Sequence, residues 1–305
     1  MTIELRHLRA FLAIAEEGSV TGAAAVLRTG QPAVSRTLAQ LERHLGVRLA
    51  DRSTHHLELT PEGRAFRDRA AAAVAAVDDV LDPVRAAHRS LRLGHAWSAL
   101  GAWTTPLLRR WQETHPDVPL ELLRVDDRMA GLLDGRVDAA LLRGPLPPGK
   151  GDRAAPVLRH EWLLDERRVA AVPADGPLAA QEGPLTLADL AGRPVAVNTV
   201  SGLTTPALWP QELRPGPERT VEVANTDDWL GTIAAGRAVG ASTEATAHMH
   251  PHPGVVYRPL SGVPRVPVLL VWREGAGHPR LPGLAALARQ VVRVPAGGTR
   301  EGHIR

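Results

Sequence analysis

Cysteine is missing altogether from the 305 residues. Its absence excludes disulfides, thiolate nucleophiles, cysteine-ligated zinc and thiol redox sensing together. Lysine is almost missing: Lys150 stands alone, and the other residues of the Lys-plus-Arg total are all arginine. Lys plus Arg exceed Asp plus Glu only by 36 to 33, and so small an excess names no partner by itself. Apolar runs long enough for a membrane span, ~18 residues, are also lacking. Residues 1–17 are interrupted by Arg6, Arg9, Glu16 and Glu17, which leaves no core for a secretory signal, and the cytoplasm is the expected location. Reactive motifs are lacking too: there is no Gly-x-Ser-x-Gly elbow, no glycine-rich phosphate loop ending in Lys-Ser/Thr and no helical His-Glu-x-x-His. Neither an enzyme nor a cofactor is therefore expected.

What is present begins with length, which favours two domains joined by a connector. Leu5, Leu8, Leu12 and Ala15 are spaced as one face of a helix, Gly18 is placed to end it, and Ser19 offers a cap to a second helix rich in alanine from Ala23 to Ala25. After a turn at residues 28–30, Gln31 and Pro32 open a third helix whose buried stripe reads Val34, Leu38, Leu41 and Leu45. Its opposite face carries Gln31, Ser35, Arg36 and Gln40, groups suited to base edges and phosphates in a major groove. Gly46 closes that helix, and residues 48–59 read as a hairpin with Arg52, His55 and His56 at its tip, a wing able to reach flanking phosphates. The DNA-binding candidates are thus Gln31, Pro32, Ser35, Arg36, Gln40, Arg52 and His55.

Phe11, Ala23-Ala24, the run Gln31-Pro-Ala-Val-Ser-Arg36, Leu41-Glu42, the run Leu45-Gly-Val-Arg-Leu49, Arg52 and Leu59-Thr60 with Gly63 stand in the order and spacing of one family. Across its whole N-terminal region the chain resembles the LysR-type regulators. Two positions depart from the family pattern: Gly30 stands where serine is usual, giving a slightly poorer helix cap, and Ala50 where phenylalanine is usual, removing aromatic packing under the wing. The resemblance implies operator DNA, a small-molecule effector and further copies of the chain, as homodimer or homotetramer, as partners. RNA polymerase is a further partner it implies.

Thr60 and Pro61 start a long helix in which Phe66, Ala70, Ala73, Val77, Val80 and Val84 alternate steps of four and three. A single helix cannot cover such a seam, and pairing two copies through it would place two reading helices over two half-sites, as the linker helix of the resembled family does. Packing of the stripe on its own domain is the alternative.

From Ser90 onward short apolar runs alternate with helical segments, the pattern of strands with crossover helices. Strands are expected at 91–94, 120–125, 138–142 and 266–272, helices at 100–115, 129–135 and 281–294, and Arg143-Gly144 just beyond a strand end. The expected fold is α/β: a winged helix-turn-helix over 1–60, a linker helix over 61–89 and a two-lobed domain over 90–305. By the resemblance that last part is similar to periplasmic solute-binding proteins, with lobe I about 90–162 and 266–296, lobe II about 163–265, and an effector held between them. Carried over by position, the effector cleft falls on Trp97, Ser98, Ala99 and Arg143 of the first lobe and on Thr199, Ser201, Gly202, Asn225, Thr226 and Ser242 of the second. Arg143 suits a carboxylate, or else a bridge to Asp126 or Asp127, and Ser98, Thr199 and Thr226 could equally be helix caps. His248, His250 and His252 would share one face of an extended segment and suit a soft divalent metal; a proline-flanked surface loop is the favoured reading, and no metal is expected. The competing class is a small-molecule binding protein or scaffold that keeps a non-functional helix-turn-helix.

Overall fold

The computed structural model describes residues 2–51, 57–146, 157–200, 202–275 and 278–293, with the side chains of 83–85 outside the description. It divides into two compact units, Met1–His88 with Leu133–Arg136, and Arg89–Leu132 with Val137–Arg305.

In the first unit, α1 (Leu5–Glu17), α2 (Val20–Val26) and α3 (Gln31–Leu45) precede a hairpin of β1 (Ala50–Asp51) and β2 (Glu58–Leu59), and α4 (Pro61–Leu81) follows. Gly18 ends α1 at φ 61°, a left-handed conformation that costs glycine nothing, and the Ser19 hydroxyl accepts from Gly22 N–H at 3.0 Å to start α2. Phe11, Ile14, Ala23, Val34, Leu38, Leu41 and Leu49 close the core. The buried face of α1 is set by His7, Ala10, Phe11 and Ile14 rather than by Leu5, Leu8, Leu12 and Ala15. Small Ala23 lets α2 approach that face, and Leu8 and Leu12 fall on its margin. Leu45 is exposed instead of completing the stripe of α3, because that helix ends one turn past the core at Gly46.

The wing is fastened at its base. Glu42 Oε1 accepts from Leu49 N–H at 2.9 Å and from Ala50 N–H at 3.3 Å, and Thr60 Oγ1 donates to Arg48 C=O at 2.7 Å. Gly63 passes so near Leu49 C=O that a β-carbon would stand 1.9 Å from the oxygen, which explains a glycine inside the first turn of α4. Thr60 caps α4 through Gly63 N–H at 2.9 Å. The linker is not one helix to residue 88: Asp82, at φ −134° and ψ 79°, breaks it, as a residue before proline tends to, and α5 (Pro83–His88) begins anew.

The second unit runs β3 (Leu91–His95), α6 (Thr104–Thr114), β4 (Leu120–Arg124), β5 (Ala139–Arg143), β6 (Leu158–Glu166), β7 (Arg168–Pro173), α7 (Leu187–Leu190), β8 (Val195–Asn198) and β9 (Thr220–Val223). It continues with α8 (Thr226–Ala234), β10 (Gly240–Thr243), α9 (Glu244–Met249), β11 (Val255–Pro259), β12 (Val266–Arg273) and α10 (Leu281–Arg293). One lobe is a five-stranded sheet in the order β4-β3-β5-β12-β6, with α6 and α10 over a core of Leu91, Leu107, Trp111, Leu141, Val268 and Leu284. The other combines β10-β7-β11 with the parallel pair β8-β9, joined at the bridge Val195↔Val239. The chain crosses between lobes at Arg167, later than the 162/163 boundary expected from sequence, and returns between β11 and β12. Residues 129–135 form successive turns and not a helix: Ala130 (φ 49°) and Gly131 (φ 78°) are left-handed, and Asp127 accepts from Met129 and Gly131 N–H at 2.7 and 2.9 Å. Among the described residues no helix is long and apolar enough to cross a membrane.

Candidate functional site

Two sites emerge, one in each unit. On α3, Gln31, Pro32 and Arg36 are exposed and Ser35 half-buried, opposite Val34, Leu38 and Leu41. Arg43 lies one helical step of seven beyond Arg36, on the same outward side, and is exposed too; the sequence reading passed over it, although its spacing was visible. Gln40 is half-buried, and its Oε1 lies 3.3 Å from Nε2 of His7, a 2% exposed residue on α1, so its amide oxygen links α3 to α1. Arg52 and His55 fall outside the described residues.

Along α4, Phe66 and Ala70 pack on their own domain, Phe66 meeting Phe11 edge to face at 5.2 Å between ring centres. Ala73 is exposed, as are Val77, Val80 at 77% and Leu81 at 71%. The stripe thus divides: its first turns are ordinary core and its later turns are bare. The side chain of Val84 lies outside the described residues.

Between the two lobes of the second unit is a cavity of about 300 Å³. Of the positions expected there, Trp97, Arg143, Gly202 and Ser242 line it. Ser98, Ala99, Thr199, Asn225 and Thr226 do not, and Ser201 lies outside the described residues. Asn225 caps α8, accepting from Asp228 N–H at 2.9 Å, and Thr226 is buried behind it. Thr199 is exposed on the loop after β8. The wall also includes Arg128, Asn198, Thr204, Thr205 and Trp229, which no motif marked: they come together only when distant strand ends meet.

Two polar clusters shape this cleft. Arg143, the last residue of β5 rather than the first beyond it, forks onto Glu166 with Nη2 to Oε1 at 2.7 Å and Nε to Oε2 at 2.9 Å, while Nη1 donates to Trp97 C=O at 2.6 Å. Its carboxylate partner is therefore Glu166, not an open anion position and not Asp126 or Asp127. In the second cluster Thr246 Oγ1 accepts from Trp97 Nε1–H at 2.6 Å and lies 2.7 Å from Ser242 Oγ and 3.4 Å from Ser98 Oγ. The turn at Ser98 and Ala99, left-handed at φ 54° and 38°, is covered by this contact from the other lobe.

The three histidines do not share an extended face. His248 is in α9, His250 follows its end, and His252 accepts from Gly254 N–H at 3.1 Å; among the described residues no group of three or more ligating side chains could hold a metal. His250 lies beside Trp97, with ring centres 6.3 Å apart. Burial, then the Arg124 charge, lowers the pKa of His250, and the same two causes bring His95 down to about 4.

A winged three-helix core with an open polar helix, followed in one chain by a hinged two-lobed domain around a cavity, is the architecture of a ligand-responsive transcriptional regulator. The family model described as "Bacterial regulatory helix-turn-helix protein, lysR family" matches residues 5–64, and that described as "LysR substrate binding domain" matches residues 85–293. The chain belongs to the LysR family.

It is 34% identical over 197 residues to the helix-turn-helix-type regulator YeiE of Escherichia coli K12, covering 64% of each chain. With the regulator BenM of Acinetobacter baylyi it shares 31% over 181 residues, 58% of this chain and 57% of that one. These alignments span less than two thirds of either relative's length. The crystal structure of full-length BenM superimposes with a TM-score of 0.53 at 26% identity, over 95% of this chain and 97% of that one. Full-length CbnR complexed with its target DNA gives 0.60 at 22% identity, over 95% and 100% of the two chains, a likeness of fold alone.

Proposed function

We propose that this chain binds operator DNA in the cytoplasm as a dimer or tetramer, and that a small effector held between the lobes of its second unit sets its regulatory state. The carrying observation is the exposed Arg36, with Gln31 and Pro32, on a helix whose other side is sealed into a three-helix core. Such a helix enters a major groove with its N-terminal side chains at base edges, and exposed guanidinium groups add phosphate contacts. The CbnR complex with DNA supports the same use of this fold.

Dimerisation runs through Val77, Val80 and Leu81, bare side chains that a second α4 would cover. The effector occupies the cavity beside Trp97, Arg143, Gly202 and Ser242, and it acts by binding one arrangement of the lobes better than another, since only such a difference moves an equilibrium. Contact with RNA polymerase belongs to this reading, and catalysis does not.

Selection of bound sequences from random duplex DNA by the full-length chain tests it. A recovered site with two inverted half-sites about one helical turn apart supports the reading. Recovery of no consensus, with binding no tighter than to bulk DNA, would remove it.

A further inference from the structure

The cleft cavity carries charge of one sign. Arg128 and Arg143 contribute to its wall, and among the described residues no carboxylate does. Arg143 is already neutralised by Glu166, which is wholly buried and stands behind the wall. To give that charge to a ligand would leave a buried carboxylate alone, a strongly unfavourable exchange. Arg128 differs: it is exposed at the rim and, among the described residues, has no carboxylate within ion-pair distance. A third guanidinium, Arg168, lies behind the wall, donating to Thr204 Oγ1 at 3.3 Å and Pro264 C=O at 3.2 Å, again without a carboxylate among the described residues. The remainder is mixed: Leu141, Leu142, Leu146 and Leu203 stand with the rings of Trp97 and Trp229, and Asn198, Thr204, Thr205 and Ser242 add uncharged polar groups.

We infer that the cleft takes a small monoanion with an apolar body, and that Arg128, not Arg143, confers the preference for negative charge. The inference rests on reading this cavity as the effector site. A volume of about 300 Å³ lies at the lower end of ligand pockets, so the ligand is small. One anionic head satisfies Arg128, and the leucines and Trp229 then cover the rest by the ordinary hydrophobic gain. A polyanion would leave charge against leucine, and an uncharged apolar molecule would leave the positive field unanswered.

The lack of native cysteine permits a direct test. Thr205 lines the cavity, is exposed, and its side chain caps nothing. In full-length Thr205→Cys the single thiol is reacted with two methanethiosulfonates of similar size, one bearing a sulfonate and one a trimethylammonium group. 2-Mercaptoethanol provides the reference ratio. The anionic reagent should be favoured at least about threefold beyond that ratio at low salt, and the excess should fade at high salt. Adding Arg128→Gln should remove most of it. At equal concentration, 4-methylpentanoate should slow labelling more than its amide or sulfate.

A ratio equal to the reference, or one unmoved by Arg128→Gln, overturns the assignment to Arg128 while leaving the cavity as a ligand site. Protection by sulfate or by the amide equal to that by the acid overturns the apolar monoanion. Labelling by neither reagent in the folded chain, with full labelling in urea, would mean that the cavity is closed and that the effector reading itself fails.

Discussion

Arg143 and Glu166 come from strands on either side of β12, whose register pairs Val268 with Arg143 and Val266 with Glu166, and the resulting fork is almost wholly shielded at 5% and 1% side-chain exposure. Removing one partner strands the other charge in a poorly solvated place. Glu166→Gln should destabilise the chain by about 3–5 kcal/mol. The double change Glu166→Gln with Arg143→Met should cost much less than the sum of the two single changes, because it leaves no lone charge. Urea unfolding followed by tryptophan fluorescence reads both, and additive costs would show that the pair is not coupled.

Trp97 and Thr246 join the lobes on the other flank of the cavity. Thr246→Val keeps the volume but leaves the indole N–H unanswered in a half-buried place, so a loss of about 1–3 kcal/mol is expected. Thr246→Ser should recover most of it. No loss in Thr246→Val, with a loss in Thr246→Ser, would assign the role of Thr246 to packing of its methyl group instead.

Stability should fall on acidification below neutrality. His95 titrates near 4 in the folded chain against 6.5 for an ordinary histidine, chiefly because of burial, with His250 lowered in the same direction. Where a folded-state pKa is depressed, the unfolded chain binds more protons between the two values, so stability rises with pH through that window. The His95 contribution is complete above about 6.5 and shrinks as pH drops toward 4. His95→Gln should flatten this part of a denaturation-against-pH profile; an unchanged slope would clear His95 of responsibility. Asp138 bends the same profile at lower pH: burial pushes its carboxyl up, but the forks of Arg89 and Arg92 outweigh that and hold it below its ordinary value. Its stabilisation is present above the ordinary carboxylate pKa and is lost as pH falls through the depressed one.

Val80, 77% exposed on α4, should matter to assembly and little to the fold of one chain. Val80→Asp should lower the apparent mass in sedimentation toward the monomer while leaving helical content intact. Unchanged mass would place the interface elsewhere.

The first unit was largely legible because its contacts are local: Ser19, Thr60, Gly18 and Gly46 announce helix ends through hydrogen bonds and dihedrals confined to a few neighbours. The errors there came from phase. Leu8 and Leu12 outrank His7 in hydrophobicity, yet His7 is the buried one because Gln40 answers its ring. The cleft was less legible. Residues such as Arg128, Thr204 and Trp229 carry no local mark, and the partner of Arg143 lies 23 residues away on a strand that is not its neighbour in the sheet. Turns at 129–135 mimic a helix in composition, and only the left-handed Ala130 and Gly131 reveal otherwise.

The most direct test is to measure the affinity of the selected operator for wild type, Ser35→Ala and Arg36→Ala over a salt series. The α3 reading predicts that Arg36→Ala weakens binding and lowers the slope of log affinity against log salt by about one if the guanidinium meets a phosphate, or relaxes one base position at about 1–3 kcal/mol if it meets a base. Affinity, slope and base preference all unchanged in both variants would contradict it.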